Sequence, residues 1–370
     1  MSGAQDLRVL VAGGGAMGSV AALALARAGA RVTLADPAGL GDNASGIAAG
    51  MLAPAFESLF DDASPPLDLL RRARDLWPEL AASVGLELSR TGAMAVGTEA
   101  QVEAWGDTLA GLGIDAQRLS PAQARERSPW LAAGLSAAWT GEDWRVEPLA
   151  ALAALRSAAE RLGTRRVGAS VTAFEGGMAT LSDGARLTVD ALVVATGASA
   201  SLAGLAPELA SLRPIKGHIL TAPGLALAGP VVRLEKGYIC PARGGALIGS
   251  TMQAGRADTR IEPAEVRRLR DLATRAAPIL AGAVLAARAG VRAATPDGLP
   301  MVGASRAAGV WLAVGARRNG WLLAPLIAEA LVDAMAARRA GAWAPTFDPA
   351  RFAAAIASCD LTRDPCPEPP

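Results

Sequence analysis

The chain has 370 residues, 51% of them apolar, which suffices for two domains with their own cores. Its 36 basic and 35 acidic residues leave a formal charge of +1, so no long-range field draws it to nucleic acid or anionic lipid, and small-molecule chemistry is expected. No apolar run reaches the length of a membrane span, no secretory leader pattern opens the sequence, and Cys240, Cys359 and Cys366 form no CxxC pair and lie apart from the single histidine, His218. An integral membrane span, a zinc site and a disulfide framework are therefore not expected, and a cytoplasmic setting is.

The first elements read as one unit. Val9 to Ala12 is an apolar strand, Gly13-x-Gly15-x-x-Gly18 follows at once, and Val20, Leu23, Ala24 and Ala28 mark the apolar face of a helix ending at Gly29. Arg31 to Ala35 resumes strand character. In such a unit the first glycine permits the tight turn, the second lets backbone approach a pyrophosphate, and the third lets helix and strand pack closely. The helix amino terminus offers free N–H groups to phosphates. Asp36, 18 residues after Gly18, can accept from a ribose diol and would repel a 2′-phosphate, so NADP is disfavoured while NAD and FAD both stay open.

Residues 39–54, GLGDNASGIAAGMLAP, form a small, glycine-rich stretch that reads equally as a surface connection or as a loop beneath a flat ring. Helical patterns such as LLRRARDLWPELAASVG occupy residues 64–127. EDWRVEPL, residues 142–149, leads into a helix through about Leu162, and a strand follows over Arg165 to Val171. DALVVATGASA, residues 190–200, is a buried strand ending in Ala195-Thr196-Gly197. RPIKGHILTAP, residues 213–223, alternates, and its His218 reads as outward or satisfied rather than chemical. GYICPARGGALIGST, residues 237–251, is a hairpin around Arg243-Gly244-Gly245 that carries the sole tyrosine, Tyr238. RAGVRAATPDGLPMVG, residues 288–303, contains Arg292. WLAVGARRNGWLLAP, residues 311–325, reads as strand, Gly315, polar loop and a helix from about Gly320. The end, CDLTRDPCPEPP, is proline-rich and charged and is expected to fray. With one histidine and no nucleophile elbow, a Ser-His-Asp hydrolase is disfavoured.

In this order the segments resemble the flavin-dependent amine oxidases of the D-amino acid oxidase type, particularly the glycine oxidases of thiamine biosynthesis. The resemblance implies that Gly13, Gly15, Ala16, Met17, Gly18, Asp36 and Pro37 hold the ADP half of FAD. It places Ala44, Ser45, Ala49, Gly50 and Met51 beside the pyrophosphate and isoalloxazine, the Val171 backbone at the adenine, and Ala195 and Gly197 at a second glycine turn. Gly315, Arg318, Asn319, Gly320, Trp321 and Leu322 then form the loop and helix start at the flavin, where helix N–H groups stabilise charge accumulating at the N1 and O2 edge. It also implies a carboxylate clamp of Tyr238, Arg292 and Arg318, with Met51 against the substrate. A guanidinium suits that task through its planar two-donor fork.

Departures from the family pattern are Ala293 for a proline, Ala316 for a polar residue, Lys236 for a histidine, and Arg317, which has no counterpart. Residues 286–294 contain no cysteine, so the implied FAD is noncovalent.

The implied fold class is α/β: a Rossmann-like, glutathione-reductase-like FAD-binding domain with an antiparallel-sheet substrate domain, discontinuous in sequence. The expected boundaries are 1–55, 145–215 and 285–345 for the first, 56–144 and 216–284 for the second, and 346–370 for a C-terminal tail. The expected activity is oxidative deamination of glycine, sarcosine or a small D-amino acid by hydride transfer to flavin, with molecular oxygen as acceptor, in a homo-oligomer. Alternatives are a D-amino acid dehydrogenase passing electrons to quinone, and the flavin-binding module of a tRNA-modification-type enzyme.

Overall fold

The computed structural model describes residues 6–199, 201–336 and 343–352. The proline-rich end, with Cys359 and Cys366, lies outside the described residues.

Strand β1 (Arg8–Ala12) is buried on both faces, as expected for the centre of a parallel sheet whose faces are both covered. It pairs in parallel with β2 (Arg31–Ala35) on one side and with Ala191–Val194 on the other. Helix α1 (Ala16–Arg27) crosses over between β1 and β2, and six strands complete the sheet: Met301–Ala304, Val310–Val314, Ala191–Val194, β1, β2 and Arg165–Val167. α1 packs on the almost wholly apolar helix Gly320–Met335, so two helices from opposite ends of the chain share one core. A three-stranded antiparallel sheet, containing Val171–Glu175, closes the opposite face of the parallel sheet.

The second layer is a nine-stranded, mainly antiparallel sheet that includes Arg213–Pro223, Gly237–Ala242, Gly245–Gly249 and Val231–Leu234. Its strands alternate as the pleat requires. Val232, Leu234, Ile239 and Ile248 pack with Leu269 and Ala273 of helix Pro263–Ala276, whereas Tyr238 and Cys240 face Ala49, Ala55 and Phe56. Arg233 is the register partner of Tyr238 and so stands beside it on the latter face.

Ala286–Ala294 also belongs to this sheet, paired with Arg213–Pro223 from Arg213↔Ala294 to Thr221↔Ala286. The chain re-enters the parallel sheet at Met301, whereas the expected boundary lay at 285. Two of the joins are local. Strand β3 (Met51–Leu52) pairs with Trp144–Arg145, and helix α3 (Pro54–Phe60), which follows the one-turn helix α2 (Ala44–Ile47), starts on the carboxylate of Asp143. Asp143 accepts from the N–H groups of Ala55 and Phe56 at 2.8 and 3.1 Å, satisfying donors that open every helix. Beyond Met301 the described residues 346–352 pack back through Phe347, Phe352 and Arg351, which bonds to Asp297. Among the described residues no helix is long and apolar enough to cross a membrane.

Candidate active site

The β1–α1 turn is shaped by exclusion. A Cβ on Gly13, whose φ is +102°, would lie 2.4 Å from the Ala195 carbonyl oxygen, and one on Gly18 would lie 1.9 Å from the Gly13 carbonyl oxygen. These glycines seat the turn against the strand Ala191–Val194 and α1, opening a cavity of about 350 Å³. Gly13, Gly15, Ala16, Met17, Asp36, Ala44, Ser45, Ala195 and Gly197 line it. α1 has no acidic residue in its first turn, and the Ala16 N–H donates to Ser45 Oγ at 2.9 Å. Free backbone donors and a loop too tight for side chains fit a pyrophosphate.

Asp36 is held by a residue that sequence reasoning missed. Arg156, 5% exposed, donates from Nη2 to Asp36 Oδ2 at 2.7 Å and to the Gly14 carbonyl at 2.6 Å. An adjoining recess of about 330 Å³ is lined by Asp36, Pro37, Arg156, Val167 and Gly168. Val171 does not line that recess; it pairs with Leu181 in the three-stranded sheet.

From the first cavity a narrower one leads inward past Met17, Ala44, Ser45, Gly197, Ala316, Arg317, Arg318, Gly320 and Trp321 to Arg292. Trp321 Nε1 donates to the Ser45 carbonyl at 3.0 Å, tying the start of helix Gly320–Met335 to α2. Gly315 and Leu322 shape this region from behind, the first in a turn with φ +85°, the second fully buried in the core.

The innermost cavity, about 60 Å³, brings together Ala49, Gly50, Met51, Tyr238, Arg292, Arg318, Asn319 and Trp321, and adds Glu57. Arg292 donates to Ser250 Oγ at 3.0 Å and the Thr251 carbonyl at 3.3 Å and touches Met252 Sδ at 3.5 Å; among the described residues it has no carboxylate partner. Burial draws its pKa down, as expected of a guanidinium without an anion. Two glycines make room for these side chains. A Cβ on Gly217 would stand 2.2 Å from Arg292 Nη1, and one on Gly249 would stand 2.3 Å from the Tyr238 hydroxyl. Burial pushes the Tyr238 phenol up to about 12, so it stays a donor at neutral pH.

Glu57 is 4% exposed. Its Oε1 accepts from Arg233 at 3.1 Å and Arg318 at 3.2 Å, while among the described residues its Oε2 has no partner. Burial opposes its charge, but Arg318 and Arg233 outweigh that and hold the carboxyl below its ordinary range. The helix PAFESLF gives no hint of this in sequence, since its partners lie 176 and 261 positions away. Arg317, with φ +48°, turns aside to pair with Asp61 and donates its N–H to the Ala293 carbonyl. Lys236 stands on the rim of an outer cavity.

His218 is buried and satisfied: Nδ1 lies 3.0 Å from Thr251 Oγ1, and Nε2 accepts from the Glu262 N–H at 3.1 Å. Burial lowers its pKa. Lys216, with a fully enclosed side chain, is paired with Asp258 and Glu262.

A glycine cradle with Asp36 on its wall, joined by a passage to a pocket lined by Arg292 and Arg318, has the form of a dinucleotide-dependent enzyme site. Residues 8–334 match the family described as FAD dependent oxidoreductase, and the chain belongs to that family. FAD is thus its cofactor, and the cradle described above fits it. Within the family the chain is similar to glycine oxidases. It is 30% identical over 350 residues to glycine oxidase of Geobacillus kaustophilus, covering 88% of this chain and 92% of that one. It is 31% identical over 381 residues to glycine oxidase of Pseudomonas aeruginosa, covering 94% and 98%. The crystal structure of the Geobacillus kaustophilus enzyme superposes with a TM-score of 0.81, at 29% identity, over 94% of this chain and 99% of that one.

Proposed function

We propose that the protein oxidatively deaminates a small amino acid. The observation that carries this reading is the guanidinium of Arg292, partly buried without an anion in the same 60 Å³ cavity as the Tyr238 hydroxyl and the free Oε2 of Glu57. Arg292 and Tyr238 hold the substrate carboxylate, Arg318 adds positive charge beside them, and Glu57 Oε2 accepts from the substrate amine. Met51 closes one wall. Two anchors on adjacent groups fix the Cα between them, so that orientation supplies much of the rate.

FAD, bound noncovalently, supplies the acceptor for the two electrons and the hydrogen leaving Cα. No side chain of the inner cavity titrates near neutrality to serve as base: Glu57 is held low and Tyr238 high. The amine therefore reacts as its free base, whose lone pair forms the C=N bond as the C–H bond breaks. Water then hydrolyses the imine to a 2-oxo acid and the freed amine, ammonia from glycine and methylamine from sarcosine. With dioxygen as final acceptor, one amino acid, one O₂ and one water give one 2-oxo acid, one amine or ammonia and one hydrogen peroxide. Glycine or sarcosine as substrate, service to thiazole formation in thiamine synthesis, a cytoplasmic location and homo-oligomeric assembly belong to the same proposal.

Stoichiometry under air tests the acceptor. Equal yields of 2-oxo acid and peroxide support the oxidase. Turnover that requires an added quinone and produces no peroxide replaces it with a dehydrogenase.

A further inference from the structure

We propose that the preferred substrate carries a second anionic group, a carboxylate extending from Cα or from the amine nitrogen; this rests on the deaminase reading above. The inner cavity, about 60 Å³, is the smaller of two that meet at the clamp residues. The adjoining outer cavity, about 280 Å³, shares Tyr238, Ser250 and Arg318 with it and gives a group carried on Cα or on the nitrogen room to extend.

That outer space is cationic beyond what the protein itself neutralises. Arg233, Lys236, Arg268 and Arg318 line it, against the single exposed acid Glu235. Arg233 and Arg318 share one oxygen of one carboxylate, Glu57 Oε1. Asp61, the other acid near Arg318 at 3.6 Å, is already taken by Arg317. Arg268 is paired with Glu265 at 2.9 Å. Lys236 has no ion pair among the described residues. A monocarboxylate held by Arg292 and Tyr238, with Arg318 beside it, leaves Lys236 without an anion and Arg233 with only its share of Glu57. Like charges held together in a partly enclosed space repel, and an anion between them relieves that repulsion and gains attraction from each. A second carboxylate that reaches this cavity from Cα or from the nitrogen meets Lys236, Arg233 and Arg318, all of which line it.

The test compares each diacid with its isosteric mono-amide on the FAD-loaded protein. The pairs are D-aspartate with D-asparagine, and N-carboxymethylglycine with its mono-amide, by apparent Kd in anaerobic flavin reduction. Succinate with succinamate, which have no amine to oxidise, are compared by calorimetric titration. Tenfold or greater preference for the diacid in succinate and in at least one oxidisable pair, falling to about one in the exposed-site variant Lys236→Met, supports the proposal. Equal affinities within the pairs overturn it, and a preference unchanged by Lys236→Met overturns the placement of the second carboxylate. If no amino acid reduces the flavin, the deaminase reading fails instead, and the succinate comparison still decides whether the anion site exists.

Discussion

Arg292→Met separates a residue kept for binding from one kept for folding, because the two roles move stability in opposite directions. Methionine matches the length of the arginine stem without its charge. Arg292 makes bonds of 3.0 and 3.3 Å and one long contact to sulfur, and among the described residues none to a carboxylate. Each such bond is worth about 1 kcal/mol net, while enclosing an unpaired charge costs several kcal/mol before relaxation. The residue is only partly buried, which trims the penalty. The substitution is therefore expected to be neutral or to stabilise the unliganded protein by up to about 2 kcal/mol. Substrate binding moves the other way. Removing one partner of an enclosed charge pair costs about 2–5 kcal/mol, or roughly 30-fold to several thousand-fold in Kd. Thermal unfolding of the FAD-loaded variant and titration with a carboxylate ligand read the two effects in one preparation. A lowered unfolding midpoint together with substrate affinity within threefold of wild type would refute the reasoning.

Gly217→Ala places a methyl 2.2 Å from Arg292 Nη1 and must displace the guanidinium; substrate Kd is expected to rise about tenfold, with FAD content intact, and an unchanged Kd would show the clamp lies elsewhere. Asp36→Ala removes the acceptor held by Arg156, so FAD affinity of the apoprotein, read by flavin fluorescence, is expected to fall about 10- to 150-fold; a change under twofold would remove Asp36 from the ribose site. Asp143 carries a pH signature. Burial, only partly offset by bonds from Ala55 and Phe56, raises its carboxyl from 3.8 to about 7. Between those values the folded state keeps a proton that the unfolded state has lost, so this contribution is full at low pH and disappears as pH rises through 7. Denaturant titrations from pH 4.5 to 7.5 should show a shallower decline in Asp143→Asn than in wild type, and equal slopes would contradict the assignment.

The β1–α1–β2 unit was legible because its signals are local: an apolar run, glycines at fixed spacing, a 3.6-residue period and a terminal acid. The pocket was legible only through resemblance. An arginine such as Arg292 in a chain rich in arginines reads as a surface charge unless its strand is recognised. Glu57, Arg156 and Arg233 were missed because their meaning depends on contacts across 120 to 261 positions, which no local pattern carries. The placement of Ala286–Ala294 in the second sheet has the same origin, since strand pairing is set by a partner some seventy residues earlier. His218 was read as outward or satisfied, and the structure shows the second, with both ring nitrogens engaged.

In the proposed reaction a hydrogen leaves the α-carbon of an amino acid held by Arg292. Anaerobic mixing of the FAD-loaded protein with glycine, sarcosine and D-amino acids, protiated and α-deuterated, tests it most directly. The expected result is loss of the oxidised flavin absorbance with at least one of them, slowed several-fold by deuterium and abolished at the same concentration in Arg292→Met. Flavin that stays oxidised across the whole panel, or bleaching that ignores both deuterium and the substitution, would contradict the account.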